Sequence, residues 1–441
     1  MVLLQETPVH RVLRGKQTMS TYVKRVLVSM AAVESLKKMG GLNPLTARRV
    51  LADPESAFKL IEQASSFSNL FRTPFEKPSP DVDGPFRIGF TEMKKPAGLY
   101  PYECHCLICG QTGTGKTTLL IILFSQALRF SPELPERIRS WFFSKSLELR
   151  SMIRLDSNML VVNFNRSTSL KLNPLEPPVG TRSDEWASVF VDLWQAFRIW
   201  EGTKGFLLDT LMELYEKFSN ENRYPSLYDL YAYVKAFPGK SQRVLAYKDG
   251  ILTRLGALLK GPLGDVFDCS QGHSKHLPDM NVIFEILYLN QEQQIFITNY
   301  LITYLFYYKM VNRVTFRNWI ALDDANSIFQ ALYENRVDLG LPIIHHLLTT
   351  VRKNKINIFA CSQTPHQLGA SIHSNSFAKI MLSLSNGKDI DFMLQSMGIK
   401  DKEQKAYCYR LKPREAVVKF SSRWQDPFLL TIPEVNYEIH R

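Results

Sequence analysis

Cysteine is scarce in this chain, which has six cysteines in 441 residues. Small secreted domains that cannot build a sufficient core rely on dense disulfide bonds. Six thiols spread over this length do not make such a framework. We therefore expect a reduced, intracellular protein whose stability comes from a hydrophobic core.

Long apolar runs are also missing. The longest, IFITNYLITYLFYYKM over Ile295–Met310, contains Thr298, Asn299 and Thr303, and it is shorter than the ~20 apolar residues that a bilayer span needs. We interpret it as a buried core helix and expect no membrane span in this chain. The opening residues reach Glu6 after only a few apolar positions. That does not fit a secretory signal peptide, so we expect a cytoplasmic protein.

The composition is that of a globular protein with a basic surface. Hydrophobic residues make up 45% of the chain, and its length is enough for two or three domains of ~100 to 200 residues. Lys and Arg number 54 against 42 Asp and Glu, a net charge of +12. This excess favours a polyanionic partner without identifying one.

The pattern of apolar residues predicts three regions. Residues 1–80 have apolar positions at helical spacing and predict a small helical region, which ends at the Pro- and Asp-rich stretch EKPSPDVDGP. Residues 81–182 and 273–441 alternate strands with helices, which is typical of an α/β fold with a mostly parallel sheet. Residues 183–272 lack strand-like runs and predict an all-helical insertion. The predicted strands are FRIGF, CHCLIC, IRSWFFS, MLVVNFN, NVIFEI, WIAL and INIFACS.

One of these strands, CHCLIC, contains four potential metal ligands, Cys104, His105, Cys106 and Cys109. Side chains alternate along a strand, so Cys104 and Cys106 should point to one face and His105 to the other. One ion could not easily bind all of them. We therefore favour buried structural cysteines over a metal site.

The stretch that follows, GQTGTGKT, matches the phosphate-binding pattern GxxxxGK[ST] between an apolar strand and a helical pattern. Its glycines let backbone N–H groups point at phosphates, and the following helix adds the positive end of its dipole. We assign Lys116 to the β and γ phosphates of ATP and Thr117 to Mg²⁺. The predicted ATP-binding residues are Gly110, Gln111, Thr112, Gly113, Thr114, Gly115, Lys116, Thr117 and Thr118.

Polar residues end two later apolar strands. Asp323 and Asp324 follow WIAL; we predict that Asp323 holds Mg²⁺ through its water shell and that Asp324 polarises the attacking water. Many motors with this arrangement have Glu at the second position, and Asp is one methylene shorter. Gln363 follows INIFACS and is predicted to sense the γ-phosphate. The alternative for Asp323 and Asp324 is an acidic pair solvated in a turn. The alternative for Gln363 is an amide that forms hydrogen bonds only within its own loop.

Other classes of nucleotide-binding enzyme fit less well. The stretch NKIN at 354–357 lacks the final Asp of the guanine-binding NKxD element, and the LSGGQ signature of transporter ATPases is absent. Kinases of small molecules are usually shorter and do not separate the phosphate loop from the acidic strand by so long a segment.

Seven separated stretches carry a family resemblance: YECHCLICGQTGTGKTTL, LKLNPLEPPVG, NVIFEI, IALDDA, RKNKINIFACSQTPHQL, KIMLSLSN and RWQDPFLLTIP. Together they resemble the HerA/FtsK superfamily of hexameric DNA motors, and within it the TraG/TraD-type conjugative coupling ATPases and their HerA-like relatives. The resemblance covers about residues 86–435. Coupling proteins usually begin with transmembrane helices, which are not seen here, and residues 1–80 match no segment that we can name.

The resemblance implies a RecA-like P-loop ATPase core with an all-helical insertion, assembled as a ring of six subunits that moves DNA through a basic channel. It also implies that Arg352, eleven positions before Gln363, enters the neighbouring subunit's site as an arginine finger; a solvated helix end is the alternative. The implied catalytic residues are Lys116, Asp324, Gln363 and Arg352, with ATP and Mg²⁺ bound.

Two functions stay open on this evidence. The first is an ATP-hydrolysing DNA translocase of the conjugation, packaging, repair or defence type. The second is an ATP-dependent assembly or switch subunit that binds a protein partner through residues 1–80 and does not move DNA. The phosphate-loop residues alone do not distinguish between them, and no pattern in the chain indicates a nuclease.

Overall fold

The structure is a computed structural model of the chain. It describes residues 74–76, 78, 82–103, 105–164, 170–194, 199, 201–239, 241–334, 343–350 and 353–434. Apart from Pro74, these residues belong to one unit, Phe75–Arg441. The predicted helical region at residues 1–80, apart from 74–76 and 78, lies outside the described residues. Cys104 and Arg352 also lie outside them.

The centre of this unit is a single eleven-stranded sheet. Every one of the seven predicted strands contains an observed strand, β1 and β3 to β8. The strands are β1 (Phe86–Thr91), β2 (Pro96–Leu99), β3 (Cys106–Cys109), β4 (Ile138–Ser144), β5 (Leu160–Asn163), β6 (Val282–Glu285), β7 (Arg317–Leu322), β8 (Ile356–Ser362), β9 (Ala378–Met381), β10 (Glu415–Phe420) and β11 (Phe428–Thr431).

The strand order is β2-β1-β11-β10-β9-β3-β8-β7-β4-β6-β5. All pairings from β9 to β5 are parallel, and those from β2 to β9 are antiparallel. The predicted α/β fold with a mostly parallel sheet is therefore confirmed. Strands β3, β8, β7 and β4 are neighbours although they are far apart in the chain.

The described residues also form twelve α-helices and four short 3-10 helices. The α-helices are α1 (Lys116–Phe130), α2 (Ser183–Leu193), α3 (Glu201–Ser219), α4 (Leu227–Ala236), α5 (Gln242–Leu259), α6 (Pro262–Phe267), α7 (Gln291–Val311), α8 (Ala331–Glu334), α9 (Ile343–Thr350), α10 (Ala370–Asn375), α11 (Gly387–Met397) and α12 (Lys402–Cys408). The 3-10 helices are Ser131–Glu133, Glu148–Arg154, Ser274–Asp279 and Pro365–Gln367.

Both faces of the sheet are covered. Every residue of β7 and of β8 is buried, as expected for the central strands of a mostly parallel sheet that is covered on both faces. On one face, Phe124 of α1 packs against Phe142, Trp319 and Phe359. On the other face, the strands share a buried cluster with α7 and with helices from the segment between β5 and β6.

Helix α7 contains the apolar run Ile295–Met310. It begins with a capping box between Asn290 and Gln293, and its side chains are buried from Ile295 to Phe306. The interpretation as a buried core helix is confirmed. In the described part of the chain, no helix is long and apolar enough to cross a membrane.

The described residues between β5 and β6 form helices and no strand. Trp186 and Phe190 of α2 and Leu207 and Leu211 of α3 are buried in the same cluster as α7. This helical segment is therefore supported by the face of the sheet that carries α7. Its division from the rest of the chain at residues 183 and 272 stays a prediction.

The prediction for CHCLIC needs one correction. Strand β3 begins only at Cys106, and His105 before it has a positive φ of 62°, so strand alternation does not apply to it. Its ring is buried, with Nε2 3.2 Å from the Leu348 carbonyl oxygen and Nδ1 accepting the Ile358 N–H at 3.1 Å. Cys106 and Cys109 are buried, and burial raises both thiol pKa values well above their usual range.

Candidate nucleotide-binding site

Polar residues gather at the carboxyl ends of four neighbouring parallel strands. Gly110 follows β3, Gln363 follows β8, Asp323 follows β7, and Lys145 follows β4. Because parallel strands end at the same edge of a sheet, these residues face one region although they are distant in the chain. Gln363, Asp323 and Lys145 line a cavity of about 1100 Å³ there, together with the loop that begins at Gly110.

The glycine-rich loop forms one wall of this cavity. Gly113 and Gly115 have positive φ angles of 79° and 109°, which favour glycine. A Cβ atom placed on either residue would meet nothing within 4 Å, so their backbone faces open space. Gly110 is needed because its surroundings are crowded. A Cβ atom placed on it would lie 2.6 Å from Thr114 Oγ1 and 2.8 Å from the Leu382 Cβ.

Lys116 begins α1 and is held under the loop. Its ammonium donates to the carbonyl oxygens of Gly110 at 2.8 Å and Gln111 at 2.9 Å. Burial lowers the pKa of Lys116, and the nearby carboxylates of Asp323 and Asp324 oppose that effect. The loop therefore presents backbone N–H groups and one ammonium to the cavity, which is the chemistry of an anion site.

The acidic pair lies opposite the loop. The Asp323 N–H donates to the Phe143 carbonyl oxygen at 3.2 Å, which fixes the end of β7 against β4. Burial raises the pKa of the Asp323 carboxyl, and the neighbouring Glu148 raises it further. A cation at this position would have the opposite effect, because it stabilises the ionised carboxylate.

Asp324 has a cationic partner. Lys145 Nζ donates to Asp324 Oδ2 at 2.6 Å, and the Asn326 N–H donates to Asp324 Oδ1 at 3.2 Å. Asn326 is itself bound to the end of β8, because its Oδ1 accepts from the Ser362 hydroxyl at 2.7 Å. The carboxylate is thus oriented from both neighbouring strands.

Gln363 connects the end of β8 to the phosphate loop. Its Oε1 accepts a hydrogen bond from the Thr112 hydroxyl at 3.1 Å. Gln363 therefore contacts the loop from β8, the strand that lies between the strand of the loop and that of the acidic pair. Arg352, the predicted arginine finger, is not among the described residues, so its role stays a prediction.

The structure places the predicted residues Thr112 to Thr118, Asp323, Asp324 and Gln363 around the same cavity. Gly110 and Gln111 lie beneath it and contribute the carbonyl oxygens that hold Lys116. Sequence reasoning missed other lining residues, which are Lys145, Ser146, Glu148, Arg154, Pro413, Arg414 and Glu434.

Some of the missed residues could have been found from the sequence. Lys145 and Ser146 follow the predicted strand IRSWFFS, so their position at the carboxyl edge follows from any parallel arrangement of that strand. Arg414 and Glu434 border the antiparallel part of the sheet. Their proximity to the phosphate loop depends on the order of β9, β10 and β11, for which the sequence carries no local signal.

No family model matches the chain, and no curated protein matches its sequence. Solved structures do match. VirB4 of Thermoanaerobacter pseudethanolicus superposes with a TM-score of 0.64 at 14% identity, covering 81% of this chain and 98% of VirB4. The plasmid coupling protein TrwB bound to the ATP analogue ADPNP gives 0.60 at 13%, covering 84% and 97%. TrwB with ADP and Mg²⁺ gives 0.59 at 14%, covering 83% and 92%.

At these identities the likeness concerns the fold. It extends over most of this chain and nearly all of each neighbour. The resemblance recognised in the sequence is confirmed at the level of the fold: the chain has the fold of VirB4 and of the bacterial conjugative coupling protein TrwB.

Proposed function

We propose that this protein is an ATP-hydrolysing DNA translocase that works as a hexameric ring. The observation that carries the proposal is the meeting of three predicted elements around one cavity: the phosphate loop with Lys116, the acidic pair and Gln363. These three elements are separated in the sequence, so their meeting favours a common task.

The residues present fit ATP with Mg²⁺. The open space before Gly113 and Gly115 leaves room for phosphate groups against the loop backbone, and the Lys116 ammonium lies at its base. The Thr117 hydroxyl and the Asp323 carboxylate supply the oxygen ligands that Mg²⁺ prefers. TrwB, which has this fold, was solved with ADPNP and with ADP and Mg²⁺.

Each residue has a distinct task in hydrolysis. Lys116 and the loop N–H groups neutralise the charge of the β and γ phosphates, and Asp324 accepts a proton from the water that attacks the γ-phosphorus. The bond from that phosphorus to the bridging oxygen of ADP breaks, and phosphate leaves. Gln363, beside the loop, senses the γ-phosphate. Magnesium, when bound, offsets the negative charge of the phosphate oxygens.

The ring and the DNA substrate rest on two further points. TrwB, whose fold this chain has, is a bacterial conjugative coupling protein, and the net charge of +12 favours contact with phosphate backbones. Arg352 is proposed to complete the site of the next subunit. An arginine finger accelerates such reactions by about 10³- to 10⁵-fold.

ATP turnover with and without DNA tests the function. We expect DNA to stimulate ATP hydrolysis. The affinity of the protein for DNA should fall steeply as the salt concentration rises. Asp324→Asn should bind ATP but not hydrolyse it, because Thr117 and Asp323 stay in place. DNA-independent turnover, together with no DNA binding in the presence of ATP and Mg²⁺, would favour the rival function of an assembly or switch subunit.

A mixture of two inactive variants tests the ring. Arg352→Ala keeps its phosphate loop, and Lys116→Ala keeps its arginine. If Arg352 acts across a subunit boundary, subunit exchange between the two proteins should place an intact Lys116 beside an intact Arg352, and part of the ATPase activity should return. Full activity of Arg352→Ala alone would contradict the finger assignment.

A further inference from the structure

Lys145 is a cation inside the proposed nucleotide site that no sequence motif assigned. It follows β4 directly and lines the same cavity as the phosphate loop. Its ammonium lies 2.6 Å from Asp324 Oδ2, and the two side chains retain exposed fractions of 29% and 37%. The carboxylate that is to accept the proton from water is therefore already engaged by a positive charge.

The order of the strands gives the cavity two ends. On one side of the phosphate loop, β8, β7 and β4 present Gln363, the acidic pair and Lys145. On the other side, β9, β10 and β11 lead to Pro413, Arg414 and Glu434. Since Mg²⁺ and the terminal phosphate belong at the acidic pair, Lys145 is at the terminal-phosphate end and Arg414 at the nucleoside end.

Lys145 can leave Asp324 for another anion at a small cost in free energy. Because both partners are partly exposed, solvent screens their attraction, and such pairs contribute little to stability. A terminal phosphate carries more negative charge than one carboxylate and offers several acceptor oxygens, and hydrogen bonds to charged groups are stronger than neutral ones. An incoming phosphate can therefore compete with Asp324 for the same ammonium.

We infer that Lys145 senses the terminal phosphate and couples its arrival to the release of Asp324. Without that phosphate, Lys145 holds the Asp324 carboxylate. When a nucleoside triphosphate is bound, the Lys145 ammonium donates to the terminal phosphate instead, and Asp324 turns to the water. This inference rests on the proposed ATPase function. It predicts that Lys145 distinguishes triphosphate from diphosphate.

Equilibrium binding without turnover tests the contact. We expect Lys145→Met to weaken ADPNP with Mg²⁺ by about 10- to 100-fold, the range for a hydrogen bond to a charged group, while ADP affinity changes by less than about twofold. Lys145→Arg should restore most of the selectivity. Arg414→Met is the matched control at the other end of the cavity, where any loss should be equal for ADPNP and ADP.

A double-mutant cycle tests the exchange itself. Asp324→Asn removes the competing carboxylate charge, so it should strengthen ADPNP binding by up to about fivefold when Lys145 is present. In the Lys145→Met background the same change should have no such effect. ADP serves as the reference ligand in all four proteins.

The outcomes separate this inference from the function on which it rests. If the unmodified protein binds neither ADPNP nor ADP, the proposed ATPase function fails. If it binds both, but Lys145→Met weakens them equally or leaves both unchanged, the sensing role is wrong and the pair with Asp324 only supports the end of β7. If the effects of Lys145→Met and Asp324→Asn on ADPNP affinity are additive, Lys145 does not exchange Asp324 for the phosphate, although it can still contact the phosphate.

Discussion

The two edges of the central sheet both bury cations, yet they use them differently. At the amino edge, Lys309 donates to Asn318 Oδ1 at 2.6 Å and to the carbonyl oxygens of Phe316 at 2.9 Å and Lys355 at 3.2 Å. Arg317 donates to Glu136 at 2.7 Å and to Asn357 at 3.0 Å. At the carboxyl edge, Lys116 donates to two loop carbonyl oxygens beside an open cavity.

Lys309 and Lys116 differ in the source of their hydrogen-bond acceptors. Around Lys309 the protein supplies three acceptors for the Nζ atom of a residue that is only 5% exposed, and burial lowers the pKa of Lys309. Around Lys116 the loop leaves space in which phosphate oxygens can become acceptors. A buried cation with a complete set of internal partners indicates a structural role, whereas one beside open space indicates a ligand.

Lys116→Ala should have the largest effect on function and little on folding. We expect ATP hydrolysis to fall by at least about 10²- to 10³-fold, since a charge that stabilises the reacting phosphates is lost. The free energy of unfolding should change by about 1 kcal/mol or less, because only hydrogen bonds to two loop carbonyls are removed. Steady-state turnover and urea denaturation measure the two effects.

The exposed Lys235 of α4 supplies the control for this variant. Lys235→Ala should retain both turnover and stability. Normal hydrolysis by Lys116→Ala would contradict the assignment of the carboxyl edge as the nucleotide site.

Lys309→Met should show the reverse pattern. Removing the amino group leaves the buried Asn318 Oδ1 without its donor and takes one donor from the carbonyl oxygens of Phe316 and Lys355, of which Lys355 still accepts the Asn318 N–H at 2.9 Å. We therefore expect a loss of about 2 kcal/mol in the free energy of unfolding. Affinity for ADPNP, measured where the variant is folded, should stay within about twofold. Lys248 is half-buried and donates to one carbonyl oxygen, that of Phe237, so Lys248→Met should cost less.

Equal losses from Lys309→Met and Lys248→Met would mean that the acceptors around Lys309 find other partners. A large loss of nucleotide affinity in Lys309→Met would remove the distinction between the two edges.

His373 provides the smallest effect, a pH dependence at the carboxyl edge. It is 6% exposed, its Nε2–H donates to the Pro365 carbonyl oxygen at 3.2 Å, and burial lowers the pKa of His373 to about 4. The unfolded chain binds the proton more readily. The contribution of neutral, buried His373 to the free energy of unfolding is therefore complete above pH ~6.5, and it is lost as the pH falls towards 4.

We expect His373 to lower the free energy of unfolding by about 2 kcal/mol at pH 5 relative to pH 8. His373→Gln should reduce that difference, and the exposed His276 supplies the control, since His276→Gln should leave it unchanged. If the His373→Gln protein shows the same pH dependence, other groups cause the decrease in the free energy of unfolding between pH 8 and pH 5.

Much of the fold was predictable because its signals are local. Strands β7 and β8 are mainly apolar, apart from polar residues such as Arg317, Asn318 and Asn357, and they stay buried along their length. The run in α7 combines helical length with an N-terminal capping box. The error at His105 arose because alternation assumes that the strand has already begun. The structure instead turns the backbone there, at φ 62°, and directs the ring to Leu348 and Ile358.

The phosphate loop was determined by the sequence itself, because a run of eight residues contains its glycines, its lysine and its threonine. The chemical character of the strand-end residues Asp323, Asp324 and Gln363 was also readable from the sequence. Only the tertiary structure decided that Lys145 meets Asp324, 179 positions away, and that Arg414 and Glu434 border the same cavity. Each strand has the same apolar pattern whichever strand it pairs with, so the neighbours, and with them the partners of each charge, are set by hydrogen bonding and packing between distant segments.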